Sequence, residues 1–126
     1  MKAEELKYTK NHMWVYAEGD TVTMGLTDFA QNELGDIVFV EMPEKGKKIE
    51  KEDVLGTVES VKSVSDLVSP VGGEVVDINT LLEDSPETIN SDPLGKGWIL
   101  KVKIENAADL EGLLDQAAYQ EFADSE

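Results

Sequence analysis

Residues Val54 to Val68 read nearly the same in either direction. Counting outward from Val61, Val58 stands against Val64, Leu55 against Leu67 and Val54 against Val68. Antiparallel strands oppose residues of constant index sum, so the mirror predicts a β-hairpin whose apolar partners share a face. Lys62 falls at its tip, inside Val58-Glu59-Ser60-Val61-Lys62-Ser63-Val64. An isolated lysine in a hairpin is ordinarily a solvated residue that protects a sheet edge. The symmetric frame and the small hydroxyls of Ser60 and Ser63 point instead to a rigid turn with an open tip. Such a tip presents a primary amine for covalent modification. A lysine amine with the usual pKa of about 10.4 is protonated at neutral pH, so modification requires an activated acyl donor and a dedicated ligase.

The rest of the first hundred residues carries short strand signals: Met13 to Ala17, Thr21 to Leu26, Asp36 to Met42, Glu74 to Asn79 and Trp98 to Ile104. Turn-forming residues separate them at Glu18-Gly19-Asp20, Pro43-Glu44-Lys45-Gly46 and Ser69-Pro70-Val71-Gly72-Gly73. Many short strands with frequent turns predict a mainly β fold, a flattened barrel or sandwich. Trp98 is expected to be buried.

Two helical stretches interrupt that pattern. Thr27 or Asp28 caps a short internal helix through Phe29 to Leu34, with Gly35 as its stop. After Asn106, Leu110, Leu113, Leu114, Ala117, Ala118 and Phe122 recur at helical spacing, while Gly112 and Asp115 predict a break into two short helices. Residues 107–126 thus form a C-terminal helical segment packed on the single domain spanning 1–126. Between Leu81 and Gly97 neither period is present. That stretch reads as a long surface loop, a candidate wall of a ligand cleft.

Composition narrows the chemistry. The formal net charge is -16 and all 11 basic residues are lysines, so bidentate arginine recognition of phosphate is absent. Nucleic acid and anionic membranes are therefore poor partners. The apolar run Ile37-Val38-Phe39-Val40 is far too short to span a bilayer. Met1-Lys2-Ala3-Glu4-Glu5 has no apolar stretch and is too acidic for a transit sequence, which makes a cytoplasmic location the expectation. With 0 cysteines and 1 histidine there is no thiol nucleophile, disulfide frame or recognisable metal-ligand cluster. His12, beside Trp14, reads as a structural histidine at the start of a strand. No nucleophile–base pair, Gly-x-Gly-x-x-Gly or Walker pattern is legible, and abundant carboxylates are usually solubilising. The sequence points to a carrier or binding module rather than an enzyme.

The segment Val58-Glu59-Ser60-Val61-Lys62 resembles the lipoylation motif of the H-protein family of the glycine cleavage system. Further blocks are similar to the same family: Lys7-Tyr8-Thr9 with His12 and Trp14; Gly25 to Gln31; Leu34 to Val40; Ser69-Pro70 with Gly73-Glu74-Val75; and Ser85-Pro86-Glu87, Ile89-Asn90, Asp92-Pro93 and Gly97-Trp98. The resemblance runs nearly the length of the chain. It implies a lipoyl-domain-like β fold with lipoate in amide linkage on Lys62. It also implies partners: a pyridoxal-phosphate glycine decarboxylase that loads an aminomethyl group and releases carbon dioxide; a tetrahydrofolate-dependent aminomethyltransferase that unloads it and releases ammonia; a dihydrolipoyl dehydrogenase that reoxidises the dithiol with NAD; and a lipoyl ligase or transferase. The carrier itself is expected to be monomeric.

In this family the loaded arm is held to fold back into a cleft that shields it from hydrolysis, and Asp66 matches a cleft residue. An acidic residue commonly follows the motif histidine, where this chain has Met13, and Glu33 stands where some relatives have histidine. Glu59 is a candidate for recognition by the ligase, against its plain reading as a solvent-facing strand charge. The rival functions are another swinging-arm lipoyl carrier, a lipoate donor to other apoproteins, a biotinyl carrier and an enzyme built on the 81–97 loop. Val61-Lys62-Ser63 lacks the Met-Lys-Met usual at biotinylated lysines.

Overall fold

The computed structural model describes residues 6–125; the five N-terminal residues read above for a targeting signal lie outside that range. Among the described residues nine strands form two antiparallel sheets. The larger sheet orders its strands β1 (Lys7–Tyr8), β2 (Met13–Glu18), β3 (Thr21–Leu26), β9 (Leu100–Ile104), β8 (Gly73–Ile78) and β5 (Lys48–Ile49). The smaller orders β4 (Ile37–Glu41), β6 (Val54–Ser60) and β7 (Val64–Val68). The mainly β, sandwich-like architecture expected from the sequence is the one found.

Period-two alternation explains how the sheets meet. On β2, Met13 and Val15 point into the core between the sheets, where they join Val22, Met24, Val75 and Val102 from the larger sheet and Ile37, Val40, Leu55, Val58 and Leu67 from the smaller. Trp14, between them in sequence, points the other way and is equally buried. It packs with Leu6, Tyr8, Tyr119 and Ala123, and its indole N–H donates to the Pro93 carbonyl at 2.8 Å. A strand buried on both faces needs a cover on each. The second cover is helix α4 (Gln116–Asp124), capped by Asp115, whose side chain accepts from the Ala118 N–H.

The hairpin forms, but its register differs from the mirror. From Glu59↔Val64 to Gly56↔Leu67 the partners sum to one more than the mirror predicts, and a β-bulge at Leu55 restores Val54↔Val68. The cause is the turn: Ser60 pairs with Ser63 through a 2.8 Å backbone bond, so two residues, Val61 and Lys62, make the tip. Val58, fully buried, is thereby opposite Ser65, while Val64 lies outward beside Glu59. A one-residue shift exchanges faces, which is why an apolar mirror alone misassigns the pairing.

Three other expectations need correction. The 81–97 stretch contains two single-turn helices, α2 (Leu81–Asp84) and α3 (Thr88–Ser91), that sink Leu82 and Ile89 into the core. Elements this short carry too few residues to display a period. Trp98 is half-buried, its ring covered on one side by the Lys101 ammonium at 5.3 Å. On α4 the inward face is Tyr119, Phe122 and Ala123, and Ala117 and Ala118 are exposed. The predicted break into two pieces is present, as a 3-10 turn at Ala107–Leu110 followed by α4. Among the described residues no helix is long and apolar enough to cross a membrane.

Candidate functional site

The tip that carries Lys62 is held by a single side chain. Ser60 is buried, and its Oγ accepts the backbone N–H groups of Lys62 at 3.2 Å and Ser63 at 3.1 Å while donating to the Ser63 carbonyl at 3.1 Å. One hydroxyl therefore satisfies most of the turn, a local device of the serine-turn type. The Val61 N–H donates to the Asp36 carbonyl at 3.1 Å and ties the tip to the segment leading into β4. Lys62 is exposed, but its stem is not directed at random. A Cβ built on Gly35 would lie 3.4 Å from Lys62 Cε, so the lysine runs alongside that glycine.

Gly35 ends helix α1 (Asp28–Leu34), which forms where the sequence predicts. Thr27 Oγ1 caps it by accepting the Ala30 N–H at 3.1 Å, and Gly35 closes it at φ 77° and ψ -153°, a region open essentially to glycine alone. Beside this helix runs a cleft of about 340 Å³. Leu26, Phe29, Ala30 and Leu34 give it an apolar lining, Glu33 and Asp66 bring two carboxylates, and Asn11, His12 and Ser65 complete it. The cleft thus lies between α1 and β7, the edge strand of the smaller sheet.

Of the residues singled out in the sequence, Lys62 lies beside Gly35 at the end of α1, and Asp66 and Glu33 are in the lining of the cleft. Glu59 is not part of the lining. It is exposed between Phe39 and Val64 in one cross-strand row, next to the tip. Met13 is a core residue, 1% exposed, and does not reach the cleft. His12, read as merely structural, is a cleft residue as well. It occupies the left-handed region at φ 62°, its ring lies on Phe29 with centroids 4.6 Å apart, and its Nδ1 is 2.7 Å from the Tyr119 hydroxyl.

Sequence reasoning missed two supports. The 81–97 stretch supplies none of the cleft lining, contrary to expectation, but Asn90 braces it from behind. Its amide donates to Gly35 O at 2.8 Å and Gln31 Oε1 at 3.0 Å, while its Oδ1 accepts the Ile37 N–H at 2.9 Å. One side chain thereby ties the end of α1 to the start of β4. Tyr119 is the other, and its only signal was the Tyr119, Phe122, Ala123 spacing that marks a helix face. Among the described residues no group of three or more histidine or acidic side chains could hold a metal ion.

An exposed lysine whose stem lies against the end of the helix that lines a cleft of apolar side chains and two carboxylates suits a tethered arm with a cationic end. Similarity to known proteins agrees with that geometry. A model of the glycine cleavage H-protein matches residues 6–126. The glycine cleavage system H protein of Symbiobacterium thermophilum is 54% identical over 118 residues, covering 94% of this chain and 92% of the relative. That of Staphylococcus carnosus is 56% identical over 119 residues, covering 94% of each. The crystal structure of the H protein from Mycobacterium marinum superposes with a TM-score of 0.84 at 38% identity, covering 97% of this chain and 96% of that one. With matched sequence, matched fold and Lys62 at the hairpin tip, the chain belongs to the glycine cleavage H-protein family.

Proposed function

We propose that Lys62 bears lipoate in amide linkage and that the chain carries an aminomethyl group from a glycine decarboxylase to a tetrahydrofolate-dependent aminomethyltransferase, with a dihydrolipoyl dehydrogenase restoring the arm. Membership places the chain in a family of lipoate-carrying proteins, as a non-catalytic carrier subunit of the glycine cleavage system. The observation that carries the reading is the position of Lys62: exposed, on a turn fixed by Ser60, with its stem against the end of the helix that lines the cleft. Residues 1–126 act as one unit, the C-terminal helical segment included, in a cytoplasmic setting.

The cleft fits the group. A lipoyl chain is a hydrocarbon ending in a dithiolane, and its loaded form adds an amine that is cationic at neutral pH. Leu26, Phe29, Ala30 and Leu34 match the hydrocarbon, and Asp66 with Glu33 matches the cation. When bound, lipoate supplies a disulfide that accepts the aminomethyl carbon and two electrons. The chain's own residues position it. Ser60 fixes the anchor, Gly35 lets the stem pass, and the cleft keeps bulk water from the reactive end. Tethering also raises the local concentration of cargo at each successive active site.

To Glu59 we assign recognition by the ligase, a reading that its exposure beside the tip supports. The formal charge of -16 is suited to steering the carrier toward basic surfaces on its partners. Loading by the decarboxylase should then slow as ionic strength rises, and a rate indifferent to salt removes the steering idea.

Intact mass spectrometry after co-expression with a lipoyl ligase tests the central reading. The expected result is one lipoyl increment, mapped to Lys62. An increment on any other lysine, or none, overturns it. Glycine decarboxylation with the partner enzymes then separates aminomethyl carriage from other swinging-arm roles.

A further inference from the structure

The outward face of the smaller sheet departs from the usual solvent pattern beside the lysine tip. An antiparallel sheet wetted on one side places apolar residues inward and polar ones outward, and the outward row Glu41, Thr57 and Asp66 obeys that rule. The neighbouring row, nearer the tip, does not. There Phe39 pairs with Glu59 and Glu59 with Val64, so one carboxylate has an apolar side chain on each side. Phe39 is the one exposed aromatic side chain among the described residues, at 51%, and Val64 is 60% exposed. Single exposed apolar residues are common on protein surfaces. These two are set apart by their arrangement. They stand on β4 and β7 with β6 between them, about 10 Å apart, so neither lies opposite the other and direct cross-strand packing does not account for the pair.

The anchor selects the occupant. The amine of Lys62 sits on a four-carbon stem, so an enzyme that acylates it has to bring its active site against the tip and cover the strand residues beside it. Partners that act on the finished arm meet its far end instead. Acylation consumes an activated acyl donor: the lysine ammonium gives up two protons in all, Nζ attacks the acyl carbon, the amide C–N bond forms, and the bond to the leaving group breaks with its electron pair going to that group. Glu59 alone is a weak handle for such an enzyme, since an exposed ion pair changes an affinity by roughly fivefold at most. Apolar flanks alter that. A lysine or arginine of the enzyme can lay its alkyl stem between Phe39 and Val64, and the two flanks then exclude water from its contact with the carboxylate, where the attraction is stronger.

We propose that Phe39, Glu59 and Val64 form the docking surface for the enzyme that acylates Lys62, receiving a basic side chain of that enzyme with its stem between the two apolar residues and its charge on Glu59. This rests on Lys62 as the anchor and goes beyond it by making recognition depend on two apolar residues, one of them on a strand remote from the hairpin. The formal charge of -16 favours a partner with a basic face.

Transfer of lipoate to the unlipoylated protein by a lipoyl ligase with ATP, with KM and kcat for the carrier measured separately, tests this. Loss of a docking contact raises KM and leaves kcat in place. Phe39→Ala should raise KM about tenfold and Val64→Ser about fivefold, with kcat within about twofold of wild type. Phe39→Leu, which keeps an apolar flank, should stay within about twofold in KM. Val76→Ala, at an exposed apolar position on the larger sheet, should change nothing. Glu59→Gln should raise KM about fivefold in the wild-type chain and less than about twofold in a Phe39→Ala background, because a carboxylate already wetted has little left to lose. Equal effects of Glu59→Gln in both backgrounds, or a wild-type KM in both Phe39→Ala and Val64→Ser, overturn the proposal. The two apolar variants lie on different strands, so either one reads the face if the other fails to fold. Normal acylation of Phe39→Ala with a raised KM in glycine decarboxylation would give the face to a later partner, and a wild-type dimer in sedimentation that Phe39→Ala disperses would give it to a second copy; each overturns the proposal as well. A wild-type chain that accepts no acyl group on Lys62 ends the anchor reading and the docking surface together, whereas acylation at Lys62 with indifferent variants ends the docking surface alone.

Discussion

The lysine tip and the cleft are neighbours built in opposite ways. Most of what shapes the tip comes from within four residues: Ser60 Oγ bonds Lys62 and Ser63, the backbone of Ser60 pairs with Ser63, and one further bond, from the Val61 N–H to the Asp36 carbonyl, reaches outside. The cleft is assembled from remote parts of the chain, with Asn90 reaching Ile37 across 53 positions and Tyr119 reaching His12 across 107. Its lining draws on the turn before β2, the end of β3, helix α1 and strand β7. A carrier needs both. The anchor has to be recognised by an enzyme that sees little more than a turn and the strand row beside it, whereas shelter for the cargo requires walls on several sides. Damage at the tip should therefore stay local, and damage at the cleft should spread.

The largest effect tests the tip's chemistry rather than its shape. Lys62→Arg should abolish the lipoyl increment and reduce glycine decarboxylation with the partner enzymes to background, because a guanidinium is not an acyl acceptor under these conditions. Stability should be unchanged in urea, since Lys62 is exposed. Retained activity in this variant would end the case for Lys62 as the anchor.

Next comes the brace behind the cleft. Asn90→Ala removes three hydrogen bonds and orphans the Ile37 N–H, whose residue is 2% exposed, together with the Gly35 carbonyl. A buried group left unpaired costs roughly 1–3 kcal/mol, so urea unfolding should show a loss toward the upper part of that range. Hydrogen exchange should quicken along Gln31 to Ile37, while protection at Ser60 changes little. Acceleration at the tip as large as that at α1 would erase the distinction between the two regions.

Gly35 is where the regions touch, and Gly35→Ala distinguishes their coupling. A side chain at φ 77° and ψ -153° is strained, by about 1–2 kcal/mol, and its Cβ would lie in contact with the Lys62 stem at 3.4 Å. The variant should accept lipoate at a near-normal rate but lose cargo faster, because the ligase acts on the tip and the arm must pass the glycine to reach the cleft. Slow lipoylation with normal retention would reverse that assignment.

The same contrast explains what was legible in the sequence. The strands from Met13 to Leu26, the Thr27 cap, the Gly35 stop and the Lys62 tip are set by neighbours in sequence, and each shows as a pattern. Asp66 could be placed in the cleft by resemblance alone. Tyr119, Asn90 and the part of His12 in the lining depend on contacts between segments far apart, and no local period records them. Even within the hairpin the two-residue tip shifts partners by one, with the bulge at Leu55 bringing Val54 and Val68 back into line. An apolar mirror reports which residues like to be buried, not how many residues the turn consumes.

Ser60→Ala carries the smallest expected effect and probes the tip most directly. It deletes one hydroxyl that makes three bonds at 3.1–3.2 Å, yet the Lys62 and Ser63 N–H groups it frees belong to exposed residues that water can reach. Replacement by solvent holds the net cost near the usual value for one hydrogen bond, about 1 kcal/mol. The Ser60–Ser63 backbone bond and the Val61–Asp36 bond remain to hold the register. Lipoylation should slow, since a looser turn presents Lys62 in more orientations and the ligase must order it at its own expense. Once attached, the arm should keep its cargo as long as in the wild type, because no cleft residue has moved. Measured together, a slower acylation rate and an unchanged cargo lifetime place Ser60 with the anchor, and a shortened lifetime would show that the cleft depends on the turn after all.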